Sequence, residues 1–317
     1  VRIEISYDGG YSWTDVIADN VNAYAGYYMW TVADNQSDQC KIRVSDVSRA
    51  DVVTFTTDTF RIVRPDISII HSPRTNAREN EAIVFEASVS ATADIQSVVL
   101  NYNQMGQSEG IVSIPMQRED DNRWTYSLGA GFFIAPGIEY YIIATDVSGM
   151  TARSPVDVGV HAINARVVDM RSTQAISGGS EQTSYRMISI PLNLSATSIA
   201  AQMQQTLPTG VMKNDWRLFR YPPGGTEPVE YPDTEAFAPG RAFWLITKNS
   251  FTLKAPEGTT VSTEEPFQMT LKSGWNDIAN PWMFNINWSN IENRSSAQLS
   301  ALYTYNGSWS DPTSPPS

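Results

Sequence analysis

Apolar residues in this chain recur at every second position, in short runs separated by turn-forming residues. In Ile83-Val84-Phe85-Glu86-Ala87-Ser88-Val89 and in Val1-Arg2-Ile3-Glu4-Ile5-Ser6 one face of an extended chain is apolar. That period fits a strand with one buried face; a helix would repeat its apolar stripe every three to four residues. Asp8-Gly9-Gly10, Glu119-Asp120-Asp121-Asn122 and Pro136-Gly137 supply turn chemistry between runs. The expected fold class is therefore mostly β. At 317 residues the chain holds three modules if they are sandwiches of roughly 100 residues.

Composition narrows the function classes. The 34 Asp and Glu outnumber the 22 Lys and Arg, for a formal net charge of -12. Nucleic-acid binding needs clustered Lys and Arg to neutralise phosphates, so this balance argues against it. The acidity suits a soluble surface protein and is compatible with calcium, which takes several carboxylate and carbonyl oxygens. No stretch of about 18 apolar residues occurs, so no membrane span is expected. With 41% apolar residues the chain can bury real cores. Its one cysteine, Cys40, excludes an internal disulfide framework; Cys40 shares an apolar face with Ile42 and Val44 and reads as a small buried hydrophobe. There is no initiating Met and no leader pattern ahead of the first strand, and the chain reads as a segment of a longer polypeptide.

Residues 1–65 form the first expected module, with strands at 1–6, 27–32, 39–45 and 52–63. Ser6-Tyr7-Asp8-Gly9-Gly10-Tyr11-Ser12-Trp13 fits the Asp-box pattern of sialidase propellers. A propeller needs several copies and this chain has one, so the reading is a hairpin whose Asp caps the turn and whose Trp packs across it. Through SYDGGYSW, YYMWTV and SDQCKIRVSD the module resembles the immunoglobulin-like modules of large secreted bacterial proteins. Such modules open with two further strands ahead of this hairpin, and those are missing here. In the second module, 66–166, a Pro-Gly turn followed by Tyr in Pro136-Gly137-Ile138-Glu139-Tyr140-Tyr141 resembles the tyrosine corner of immunoglobulin-like and fibronectin type III folds. That resemblance implies a second β-sandwich and no chemistry.

Residues 167–317 read as a β-rich α+β pseudo-repeat. Leu302-Tyr303-Thr304-Tyr305 answers Leu218-Phe219-Arg220-Tyr221, and 275–281 answers 185–191. Between the strands of the first copy, Ser195 is placed to cap a helix on which Ile199, Met203 and Leu207 recur, ended by Pro208; the second copy has a comparable segment at 288–299. No second counterpart of 239–244 follows, so the module is expected to be incomplete at its carboxyl end. The arrangement resembles an uncharacterised module near the C-terminus of long exported bacterial proteins of the type IX secretion kind, and no activity follows from that.

Catalytic patterns are weak. Gly106-Gln107-Ser108-Glu109-Gly110 matches a nucleophile elbow, but the β-prone Ile111-Val112-Ser113-Ile114-Pro115 follows where a helix is required. His161, the one His placed to complete a triad, is expected on an exposed outer face. His71 and His161 are the only histidines, so a His-based metal site has to join two distant strands. Calcium candidates are the loop acids Asp34, Asp38, Asp120 and Asp121, although neither loop has the D-x-[DN]-x-[DN]-G spacing. Six of the nine tryptophans fall in the third module: Trp216, Trp244, Trp275, Trp282, Trp288 and Trp309. Their positions repeat with the strand pattern, as core residues would. Trp282 and Trp309 adjoin turns and are the two expected to reach the surface, where indole faces stack on sugars.

The expected function is structural or adhesive, without catalysis, within a large secreted or cell-surface protein. Its expected partners are other modules of the same longer chain, glycans or neighbouring subunits. The alternatives are a carbohydrate-binding appendage of an extracellular enzyme, or part of an extracellular filament assembled by strand complementation.

Overall fold

In the computed structural model the described residues are 1–33, 35–49, 51–63, 66–107, 109–156, 158–206, 210–291 and 298–312. Asp34, Ser108, Leu207 and Pro208 lie outside them, as does half of the expected helix at 288–299. The fold is mostly β, in several antiparallel sheets with a single α-helix among the described residues. The chain divides into two compact units, Val1–Asp66 and Ile67–Ser317.

The first unit is one sheet. β1 (Arg2–Ser6), β2 (Asp15–Ala18), β3 (Ser37–Ser45) and β4 (Val53–Phe55) run in the order β2-β1-β3-β4, and β5 (Phe60–Ile62) also pairs with β3. The strand expected at 52–63 is thus two strands on opposite halves of β3. Ile5, Cys40 and Ile62 form the buried cluster, with Tyr7, Ile17, Trp30 and Phe60 against it. The Asp-box sequence is a self-contained turn: Asp8 takes the Ser12 amide at 2.9 Å and the Ser12 hydroxyl at 2.6 Å, and Trp13 donates its indole N–H to the Gly10 carbonyl at 3.1 Å. Residues 27–32 are no strand, because no neighbouring strand among the described residues pairs with them, and they leave Tyr27, Tyr28, Met29 and Val32 exposed.

The second unit begins with ten strands: β6 (Ser68–Ile70), β7 (Asn76–Arg78), β8 (Ile83–Ser90), β9 (Ile95–Gln104), β10 (Val112–Pro115), β11 (Gln117–Arg118), β12 (Arg123–Leu128), β13 (Gly137–Asp146), β14 (Thr151–Ser154) and β15 (His161–Val167). One sheet runs β11-β12-β8-β6; the other contains β10-β9-β13-β15, with β14 on β13 and β7 on β15. The inward rows of both sheets, Ile83, Phe85, Ala87 and Val89 on one side and Leu100, Tyr140, Ile142 and Ala144 on the other, share one core. This is sandwich-like packing. At Gly137, φ is +112° and an added Cβ would meet the Ile163 carbonyl oxygen at 2.2 Å, so only glycine fits where β13 starts against β15.

β16 (Arg186–Ile188), β17 (Leu192–Leu194), helix α1 (Ile199–Thr206), β18 (Trp216–Arg220), β19 (Val229–Glu230), β20 (Phe243–Thr247) and β21 (Gly258–Thr260) complete the fold. The boundary expected at 166/167 falls inside β15, and the sheet continues through β15-β21-β17. Thr260 clasps the junction: its hydroxyl donates to the Pro136 carbonyl at 2.7 Å and accepts from the Ala165 amide at 2.8 Å. The other strands form the sheet β16-β20-β18-β19. At the amino end of α1, Ser198 rather than Ser195 takes a helix amide, that of Ala201 at 3.3 Å. The second pseudo-repeat copy forms no strands among the described residues; it contributes isolated bridges, Arg241 with Ile278 and Tyr305 with Trp309.

Candidate functional site: an anchored aromatic surface

Alternation along β20 buries Phe243, Leu245 and Thr247 and turns Trp244 and Ile246 to the other face. Met187 of β16 and Phe219 of β18 lie in register with Trp244. The outer face of this sheet therefore carries a row of large apolar side chains where a solvated face would carry polar ones.

The carboxyl-terminal residues cover part of that row. Arg186 bridges Asn306, and the Tyr305 hydroxyl donates to the Gln182 carbonyl at 3.2 Å. The Trp244 ring meets Tyr305 at 5.1 Å and Trp309 at 5.7 Å, both edge to face. Trp309 then meets Trp275 at 6.1 Å, with 34° between the planes, and Tyr303 stands beside both. Trp275 is 66% exposed and Trp309 54%. Five rings thus form one cluster, seated on the sheet at Trp244 and ending in two indoles open to solvent.

Asp277 fixes the inner end. Its Oδ2 accepts the Trp244 indole N–H at 3.0 Å and the Tyr221 amide at 3.3 Å. Burial raises its pKa above the ordinary carboxylate value, against the pull of those two donors and of Arg220. Asp277 and Asn276, next in sequence to Trp275, also line a cleft of about 340 Å³ with Arg220, Glu235, Arg241 and Phe267. Arg220 is buried and donates to Glu235 at 3.0 Å, while its Nε has no hydrogen-bond partner among the described residues. Exposed flat rings next to planar hydrogen-bonding side chains held in place suit a polyhydroxylated ring: C–H faces lie on the indoles, and hydroxyls reach carboxylate and guanidinium groups.

Of the two expected surface tryptophans, Trp309 is in this cluster and Trp282 is not. Trp282 is half-buried, stacked on Phe284 at 5.8 Å and edge-on to Phe267, with its N–H aimed at the Ser262 carbonyl at 3.4 Å. Phe284 in turn lies over Gly106, where a Cβ would meet its ring at 2.2 Å. This pair packs the 280s against the turn after β9. Trp275 was readable only as a strand residue of the second repeat copy; the Ser273-Gly274 turn ahead of it is the signal that lifts it to the surface.

The two histidines come together beside Tyr140, both half-buried, and His161 is oriented rather than exposed, because β15 turns it toward β13 and β14. His71 and His161 have ring centroids 5.3 Å apart. His71 Nδ1 lies 2.6 Å from the Glu86 carbonyl oxygen and therefore carries the proton; Nε2, at 2.7 Å, accepts from the Tyr140 hydroxyl. His161 Nε2 is 3.1 Å from the Ser154 hydroxyl. Burial lowers both histidine pKa values, and His71 lowers that of His161 further. The Tyr140 hydroxyl thus ties β13 to a histidine ring.

Among the calcium candidates, Asp34 lies outside the described residues and Asp38 is exposed on β3. Asp120 accepts the amides of Asn122 and Arg123, while Arg118 donates to the Asp120 and Asp121 carbonyls. These oxygens thus close the turn. Among the described residues no group of three or more His, Cys, Asp or Glu is placed to hold a metal ion, and no helix is long and apolar enough to cross a membrane. No protein-family model matches the chain, and no curated protein matches it.

Proposed function

We propose that this chain is a non-catalytic, adhesive part of a large secreted or cell-surface protein, and that it contacts glycans through Trp275 and Trp309. The observation that carries this reading is the exposed indole pair on a ring cluster anchored through Trp244 and Asp277. Large exposed aromatic patches mark binding surfaces, and the adjoining cleft supplies polar groups for hydroxyls. The immunoglobulin-like resemblance and the near absence of cysteine suit an exported modular protein. The test is a glycan array probed with the parent chain and with Trp275→Ala and Trp309→Ala. Binding that both variants abolish while Trp282→Ala retains it is the expected result; no binding, or binding indifferent to both indoles, refutes the reading.

A second reading, assembly by strand complementation, is favoured by one observation: residues 27–32 have no strand partner and leave large apolar side chains in solvent. Sedimentation velocity over a range of concentrations tests it, and a monomer throughout refutes it.

A further inference from the structure

The first unit repeats the connectivity of one sheet of the second. β1 is flanked by β2 and β3, as β9 is by β10 and β13. β3 carries β4 on its carboxyl half and β5 on its amino half, as β13 carries β14 and β15. A shared turn sets the register: in Asp46-Val47-Ser48 and in Asp146-Val147-Ser148, the Asp Oδ1 accepts both the amide and the hydroxyl of the Ser. With Asp46 placed on Asp146, Ile42 falls on Ile142 and Val44 on Ala144. The partner of Ile42 is Ile5 and that of Ile142 is Leu100, both buried.

What differs is the cover. In the second unit, the β8 and β12 side chains lie over this row, and Ile142 and Ala144 are fully buried. In the first unit Ile42 and Val44 stay partly exposed. Residues 27–32 stand in the place of β12: they precede β3 as β12 precedes β13, and they share its Trp-Thr pair at Trp30-Thr31 and Trp124-Thr125. Trp30 packs on the Ile5 cluster as Trp124 packs in the larger core. β12 is a strand because β8 pairs with it from Arg123↔Ser88 to Leu128↔Ile83. Residues 27–32 have no such neighbour.

We propose that the open face of the first unit is an acceptor for one extended strand with apolar side chains at alternate positions. The strand pairs antiparallel with residues 27–32 and lies over Ile42 and Val44. The occupant's chemistry is read from β8, whose inward Ile83, Phe85, Ala87 and Val89 alternate with Val84, Glu86 and Ser88. Main-chain hydrogen bonds supply affinity, and the alternate side chains supply register. β8 itself is engaged on both edges, by β12 and β6, and is engaged in the same way in a second copy, so the occupant is a strand of that alternation supplied by a partner polypeptide and not by another copy of this chain. Because β8 leads into β9, the bound strand has its carboxyl end beside Arg2. The proposal rests on the strand-complementation reading only in supposing that a strand completes this unit.

The test is hydrogen exchange of the full chain, with a synthetic peptide reproducing residues 82–91 as the probe. The control is the same peptide with Phe85→Asp and Val89→Asp. The expected result is exchange slowed at least tenfold over residues 27–32 by the first peptide alone, with β12 unaffected. Equal slowing by both peptides, no slowing by either, or slow exchange before any peptide is added overturns the proposal. Sedimentation of the same samples separates the two ideas. Peptide binding to a chain that never self-associates sustains the acceptor and removes assembly between copies, whereas self-association that protects 27–32 and excludes the peptide overturns the acceptor.

Discussion

Replacing Tyr140 by Phe removes one oxygen from the centre of the second unit and leaves the ring. The ring is 1% exposed and meets Phe85 edge to face at 4.9 Å, contacts that Phe reproduces. What is lost is the hydroxyl's donation to His71 Nε2, which is the accepting nitrogen because Nδ1 carries the proton that goes to the Glu86 carbonyl. A typical buried hydrogen bond contributes about 1 kcal/mol net, and an acceptor left unsatisfied costs about 1–3 kcal/mol. His71 is only partly enclosed, so we expect a loss of about 2 kcal/mol, equivalent to a Tm lower by about 4–8 °C for a unit of this size. Urea and thermal unfolding of Tyr140→Phe, His71→Leu and the double variant measure it. The two substitutions should be non-additive by at least about 0.5 kcal/mol. A Tyr140→Phe chain within about 0.5 kcal/mol of the parent, or strict additivity, refutes the assigned tautomer and bond.

Acid should destabilise the second unit below the ordinary histidine value of about 6.5. Both histidine pKa values are lowered in the folded state, so the unfolded chain binds more protons there, and stability present above that pH is lost as pH falls. The groups facing the pair are Tyr140, Glu264 and Arg153; urea midpoints at pH 7.5 and 5.0 that do not fall, or that fall equally in a variant lacking both histidines, contradict this. Gly137→Ala should cost at least about 2 kcal/mol, from a strained φ and the collision with the Ile163 carbonyl oxygen; an unchanged urea midpoint would show that β13 and β15 separate easily there. Asp277→Ala leaves the Trp244 indole N–H and the Tyr221 amide without their acceptor and should cost about 2 kcal/mol. Asp277→Asn keeps an oxygen in place and should cost less, with equal losses ruling out the anchoring role.

Period-two alternation was a sound guide in β8 and β13, which bury the side chains the pattern selects; in β1 Glu4 and Ser6 are buried on either side of Ile5 while Ile3 is only half-buried, and in β9 the alternation shifts after Leu100, where Asn101 and Asn103 are buried. It failed at residues 27–32, where the pattern is present and no neighbour exists to receive the amides. Pairing is a property of two segments, and one segment's sequence cannot state it. Trp282 and Trp309 both adjoin turns, yet only one is exposed, because Phe284 is drawn onto Gly106 and brings Trp282 under cover with it. His71 and His161 lie 90 residues apart; His71 follows β6 in one sheet and His161 opens β15 in the other, and the packing of the two sheets, with both rings against Tyr140 of β13, brings them to one place. The Asp-Val-Ser turn stands in the sequence of both modules, at 46–48 and 146–148. It becomes informative only when the registers on either side are known to match.

The most direct measurement is the set of indole N–H resonances in a two-dimensional NMR spectrum, titrated with an oligosaccharide selected from the array. If the exposed indoles bind glycan, the resonances of Trp275 and Trp309 shift together along one binding curve, while that of the buried Trp216 stays fixed. A curve that moves Trp282 and leaves Trp275 and Trp309 in place would contradict that binding.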